Sequence, residues 1–164
     1  LIGNEERYFE AGICIRSGSY IDPGIVLYWF GTPGNVDMRS KIVDDVASNR
    51  ILLERIVRNK FGCDIIHATN GKEALALLPS QIPNILLLDL QMPEMSGFEL
   101  LQILRRSEEW KTLPVVIISA IGDRSRTEEI ASLGVSGYLL KPFSAIDVSE
   151  RIVDALKKAH KAIS

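Results

Sequence analysis

The stretch from residue 85 to 101, ILLLDLQMPEMSGFELL, runs four apolar residues into Asp89. A carboxylate at the edge of a hydrophobic core is costly to bury unless it finds partners, so its presence there points to a task. Gln91, Met92 and Pro93 follow at once and must be loop, because proline cannot serve a central strand. Ser96 then caps a helix, SGFELLQILRR, whose negative end carries Arg105 and Arg106. The stretch reads as strand, loop and helix, with Asp89 at the carboxyl end of the strand.

The same unit repeats outward in both directions. KIV is a short first strand, and SNRILLERIVRNK is a helix with Leu52, Leu53, Ile56 and Val57 on one stripe, Ser48 as cap and Gly62 as stop. CDIIHA is a strand, and NGKEALALL a helix ended by Pro79. Beyond the opening unit, LPVVIISA and SGYLLK are strands, each followed or preceded by helix: DRSRTEEIASLG, with only Ile130 and Leu133 as large apolar residues, and SAIDVSERIVDALKKAHKA. Strict alternation predicts an α/β fold, a five-stranded parallel, doubly wound sheet with helices on both faces. Strands that are apolar throughout fit a sheet covered on both sides. The flavodoxin-like order 2-1-3-4-5 is the expected solution, and it gathers ligands at the carboxyl ends of the strands. The first strand is the weak point. Arg39, Ser40 and Lys41 start a central strand badly, which leaves Ile42 and Val43 as its apolar content.

The 164 residues suffice for one domain, or one domain with an appendage, and a hydrophobic share of 46% predicts a real core. A net charge of −2 gives no electrostatic footprint for nucleic acid and no pull toward an acidic membrane. The longest apolar run, IVLYWF at 25–30, is too short to span a bilayer, and Glu5 and Glu6 stand where a signal peptide would carry basic residues. Cys14 and Cys63 form no CxxC and no metal spacing, so two reduced thiols in a cytoplasmic protein are expected. Residues 1–37 differ in texture, holding half of the twelve glycines, and IDPG and GTPG read as turns. GICIR and IVLYWF are compatible with a hairpin. The division expected is an unrecognised N-terminal segment or linker at 1–37 and a domain at 38–164. The chain opens on Leu1 and its first methionine is Met38, so it reads either as a piece of something longer or as a chain whose first part precedes a natural start.

The strand ends carry the chemistry. Asp44–Asp45 end the first strand, Asp89 the third, Ser119 the fourth and Lys141–Pro142 the fifth. Three converging carboxylates repel one another and raise one another's pKa, and a hard divalent cation relieves this. Mg2+ takes one or two carboxylates and keeps waters and phosphate oxygens. An ammonium and a hydroxyl opposite can hold phosphoryl oxygens. Together these are the parts of a phosphoryl-transfer site with a carboxylate nucleophile, and aspartyl phosphate is the expected product.

On the acidic pair in IVDD, the Asp of LLLDLQMPEMSGFELL, the hydroxyl in VVIISA and the KPF after the fifth strand, residues 38 to about 162 resemble a response-regulator receiver domain of two-component signalling. The resemblance implies that Asp89 is phosphorylated by a histidine kinase or phosphotransfer protein. It implies that Asp44, Asp45, Asp89 and the backbone carbonyl of Gln91 hold Mg2+, and that Lys141 contacts the phosphoryl group. Ser119 would be the switch hydroxyl, Tyr138 the aromatic that follows it, Pro142 the residue after a cis peptide, and Pro93 and Gly97 the shapers of the loop. Output would pass through the face of the fourth helix, fifth strand and fifth helix to a partner the sequence does not name. The family also allows a phosphorylation-dependent homodimer, and either a stand-alone receiver or the receiver of a longer protein such as a hybrid kinase.

Two other classes compete. A phosphatase of the haloacid-dehalogenase type also uses an Asp nucleophile, but it needs an acid two residues on, where this chain has Gln91. A phosphorylation-independent interaction domain would have lost an acidic, hydroxyl or lysine position, and none is lost. The reading is therefore a signalling module rather than an enzyme, one that assists only its own phosphorylation and dephosphorylation. His67, His160 and the lysines at 157, 158 and 161 are read as structural or surface residues, and Arg124 and Arg126 as either partner contacts or solvated residues.

Overall fold

A computed structural model describes residues 38–120 and 127–163 together with the strand residues 13–15 and 19–21. In chain order the elements are β1 (Ile13–Ile15), β2 (Ser19–Ile21), β3 (Arg39–Val43), α1 (Ala47–Phe61), β4 (Asp64–Ala68), α2 (Gly71–Leu77), β5 (Ile85–Asp89), α3 (Gly97–Arg106), β6 (Val115–Ala120), α4 (Thr127–Ser132), β7 (Gly137–Lys141) and α5 (Ala145–Ile163). The strands β3 to β7 form one parallel sheet in the order β4-β3-β5-β6-β7. This is the expected 2-1-3-4-5 arrangement counted from β3. The residues β1 and β2 pair antiparallel, Ile13 opposite Ile21. The hairpin expected with IVLYWF falls outside the described residues, as do Arg124 and Arg126.

Each face of the sheet carries its own core. On one side Ile42, Ile85, Leu87, Val116 and Ile118 meet Leu53 and Val57 of α1 and Val148, Ile152 and Leu156 of α5. On the other, Val43, Leu86, Leu88, Val115 and Ile117 meet α2, α3 and Ile130 of α4. The alternation along each strand splits its residues between the two cores, which is why β5 is buried at every position. The helix α3 begins with a full capping box. The Ser96 hydroxyl accepts from the Glu99 N–H, and the Glu99 carboxylate accepts from the Ser96 N–H. At the end of α1, Gly62 takes the left-handed conformation at φ 63°, the stop its position predicted.

Two local expectations fail. Ser48 does not cap α1, because the helix already starts at Ala47 with Val46 at the cap position, so Ser48 lies inside the first turn. Nor is the first strand short: β3 spans five residues and pairs on both sides. Its opening is pinned by Asn84, whose Oδ1 accepts from the Arg39 N–H while its N–H donates to the Arg39 carbonyl, both at 2.8 Å. Ser40 and Lys41 are consequently fully buried. The Ser40 Oγ finds no hydrogen-bond partner among the described residues.

Lys41 is accommodated by a helix end. The Leu78 N–H turns to the Leu75 carbonyl, and α2 has no basic residue in its last turn. The Lys41 Nζ, rising from the strand beneath, donates to the Ala74 carbonyl at 2.9 Å. It thus puts positive charge near the helix's negative end. Burial nevertheless drives the Lys41 pKa down to about 8, against the opposing pull of Glu73. The charged form therefore costs free energy in the folded chain, and Lys41→Met should raise stability at pH 7 by about 2 kcal/mol. Between pH 8 and the ordinary lysine value of 10.5 only the unfolded chain keeps the proton. Wild-type stability should therefore rise through that window. Urea unfolding at pH 7 and pH 10 should show the gap between the two proteins narrowing at the higher pH.

Candidate functional site

Because β3, β5, β6 and β7 run parallel, their carboxyl ends open on one rim. Asp89 closes β5, Asp44 follows β3 directly, Ser119 lies near the end of β6 and Lys141 closes β7. The carboxylates of Asp44, Asp45 and Asp89 each bring an oxygen within 4.8 Å of the others. Asp44 and Asp89 are buried, 1% and 5% exposed, while Asp45 is open to solvent. The Lys141 ammonium bridges the two buried acids, 2.9 Å from Asp44 Oδ2 and 3.2 Å from Asp89 Oδ1. Residues separated by 97 positions in the chain meet this way because the parallel strands end on one rim.

The electrostatics show how little compensation the site holds. Burial pushes the Asp89 carboxyl up to about 6; the Lys141 charge opposes this and the Asp44 charge adds to it. Burial also works against the Lys141 ammonium. The hydrogen bond to Asp44 and the charges of Asp89 and Asp44 overcome that and hold its pKa above the ordinary lysine value. Both shifts express one fact: two buried acids share one cation.

The remaining expected residues are distributed around this centre. Ser119 is buried, and its hydroxyl donates to the Ala120 carbonyl at 3.2 Å. Tyr138, half-buried in β7, packs against the core on the α3 side, so its ring starts partly inside rather than on the surface. The Lys141–Pro142 peptide is cis. Gln91 is exposed in the loop after β5. That loop is held by the Gly97 N–H on the Leu90 carbonyl at 3.1 Å and by the Gly71 N–H on the Met95 carbonyl at 3.1 Å. Glu94 within it adopts a left-handed φ of 64°. His67, read as structural or exposed, pairs with Glu54 at 2.8 Å.

Sequence reasoning passed over two residues that touch the acids. The Asn49 Nδ2 lies 3.2 and 3.1 Å from the two oxygens of Asp44. The Arg50 Nη1 donates to the carbonyls of Asp44 at 2.6 Å and Asp45 at 3.0 Å. The available signal was their place one turn into the helix that follows the acidic pair. A divalent cation fits the donor set: oxygen ligands only, an exposed Asp45 beside buried Asp89, and too few positive groups for three carboxylates.

Comparisons with known proteins agree with the geometry. The family described as response regulator receiver domain matches residues 41–153. The chemotaxis protein CheY of Pseudomonas aeruginosa is 36% identical over 115 residues, covering 70% of this chain and 93% of that protein. The "Probable transcriptional regulator ycf27" of Porphyridium aerugineum is 35% identical over 123 residues, covering 75% of this chain and 50% of that protein. The chain thus spans about half the length of the ycf27 regulator. Among solved structures, a response regulator receiver protein from Pseudomonas putida superposes with a TM-score of 0.66 at 29% identity, covering 71% of this chain and 96% of that one.

The helix α3 starts hard against the phosphoacceptor candidate. A Cβ on Gly97 would lie 1.9 Å from the Asp89 carbonyl oxygen and 3.0 Å from Leu90 Cα, both backbone atoms that cannot swing aside. Gly97→Ala should therefore cost about 3 kcal/mol, read from urea unfolding. It should also shift the Asp89 and Leu90 amide resonances in whatever fraction remains folded.

Proposed function

This chain belongs to the response regulator receiver domain family, and from that premise we propose that it is a phosphoacceptor switch whose phosphorylated residue is Asp89. The observation that carries the reading is the Lys141 ammonium held between Asp44 and Asp89 beside the open carboxylate of Asp45. An Asp89 oxygen bonds to phosphorus as the bond from phosphorus to the donor's histidine nitrogen breaks. Lys141 takes one phosphoryl oxygen, and the Ser119 hydroxyl donates to another. Asp44, Asp45, Asp89 and the Gln91 carbonyl hold Mg2+, which when bound supplies positive charge to the transferring group. The donor is a histidine kinase or histidine phosphotransfer protein. The work is cytoplasmic, without direct nucleic-acid contact, which a net charge of −2 supports. Among the described residues no helix is long and apolar enough to cross a membrane. The domain is taken to begin near Met38, and residues 1–37 to contribute nothing to the site.

Incubation with phosphoramidate and Mg2+ should add one phosphoryl group by intact mass, and Asp89→Asn should abolish it. Addition that persists in the variant would refute the assignment. Phosphorylation puts a group of about −1.5 to −2 charges at the rim in place of the single Asp89 carboxylate charge and draws the Ser119 hydroxyl inward, so that Tyr138 can turn further into the space left behind. The output face is then α4, β7 and α5. Amide shifts on adding beryllofluoride should extend from residue 119 through β7 into α5. A response confined to the loops at Asp44 and Asp89 would break the relay through Ser119 and Tyr138.

A further inference from the structure

The carboxylate of Asp44 is held from two sides that pull in different directions. On one side Lys141 bonds Oδ2 at 2.9 Å and draws it toward β7. On the other, the Val46 N–H bonds Oδ1 at 2.8 Å, and the Asn49 amide spans both oxygens. Val46 and Lys141 thus hold one oxygen each. Asn49 is the side chain that meets both oxygens and so fixes the carboxylate plane.

Asn49 is itself fixed. It sits in the first turn of α1, where its N–H bonds the Val46 carbonyl at 3.1 Å. It is half-buried, and no apolar cluster of the core includes it. Its neighbour Arg50 reaches back in the same direction and ties the carbonyls of Asp44 and Asp45 with one Nη. One turn of helix therefore restrains both the side chain and the backbone of the acidic pair. The helix has no side-chain cap of its own and no acidic residue in its first turn, so the acid loop faces its positive end without a rival.

We propose that Asn49 is a positioning residue for divalent-cation binding, with Arg50 fixing the loop on which it acts. Asn49 holds the Asp44 carboxylate against the pull of Lys141, so that it stays turned toward Asp45 and Asp89. Without that amide, Asp44 keeps only its bonds to Val46 and Lys141, and its carboxylate turns more freely out of the oxygen cluster. The inference rests on the proposed Mg2+ site. Groups that orient a metal's ligands typically contribute ten- to a hundredfold in affinity.

Mg2+ titration by calorimetry tests it, with urea midpoints checking that each variant is folded. Asn49→Leu, close in shape but without a donor, should raise the Mg2+ dissociation constant about tenfold. Asn49→Gln, which keeps the amide, should stay within about threefold of wild type. The phosphorylation rate of Asn49→Leu should recover at saturating Mg2+, since the amide acts on metal affinity and not on the attacking oxygen. A readout without any change at Asn49 is available in the metal-free protein, where its side-chain amide protons should exchange faster once Asp44→Ala removes their acceptor. An Asn49→Leu protein that binds Mg2+ as wild type does would overturn the inference alone, as would an Asn49→Gln protein no better than Asn49→Leu. A wild type that takes up no Mg2+ would overturn the proposed function and this inference with it.

Discussion

The Lys141 ammonium between Asp44 and Asp89 is the contact on which the rest of the arrangement depends. Two buried carboxylates beside a third exposed one would repel one another strongly in a low-dielectric pocket. A single cation reduces that repulsion without removing it, and the carboxyl of Asp89 remains pushed up to about 6 by its burial. The sheet exists in the order that makes this contact possible. With β7 beside β6, the lysine at its end reaches inward along the rim to both the acid that ends β5 and the acid that follows β3. The fold stores a deficit of positive charge at its rim, which a divalent cation can relieve.

Around that rim the support is uneven. The loop after Asp89 is tightly built: the capping box of α3 at Ser96, the close approach of Gly97 to the Asp89 carbonyl, and the bond from Gly71 to Met95 leave its backbone little freedom. On the α4 side the restraint lies at the helix's end. The Arg105 guanidinium donates to the carbonyls of Leu133 at 2.9 Å, Leu113 at 3.1 Å and Gly134 at 3.2 Å, joining α3 to the residues just past α4. Within α4 itself Ile130 is the one buried residue. Over its described residues α4 buries one side chain and has its C-terminal end fixed, which makes it inexpensive to shift.

Much of this was legible in the sequence because it depends on local pattern. The apolar run before Asp89, the serine ahead of α3 and the alternation of strand and helix follow from periodicity and capping chemistry. The acids, the hydroxyl and the lysine fell at strand ends, and parallel topology brought them together. What was misjudged depends on distant partners. Lys41 looked unfit for a central strand because the Ala74 carbonyl that receives it is 33 residues away. Arg39 looked unfit until Asn84 supplied both of its backbone bonds. Ser48 seemed the natural cap for α1, yet the turn after Asp44, closed by the Val46 N–H on the Asp44 carboxylate, starts the helix at Ala47 and leaves Ser48 inside it. The roles of Asn49 and Arg50 were hidden for the same reason. Neither residue type announces a ligand, and only the turn between β3 and α1 aims them at the acids.

The central claim is that the carboxylate of Asp89, and no other group, takes the phosphoryl group. Borohydride reduction tests it most directly, because an acyl phosphate is reduced to an alcohol whereas a free carboxylate is not. After treatment with phosphoramidate and Mg2+ followed by borohydride, peptide sequencing by mass spectrometry should find homoserine at position 89. Homoserine at 44 or 45, or an unreduced chain that still carries phosphate on serine, threonine or histidine, would contradict the account.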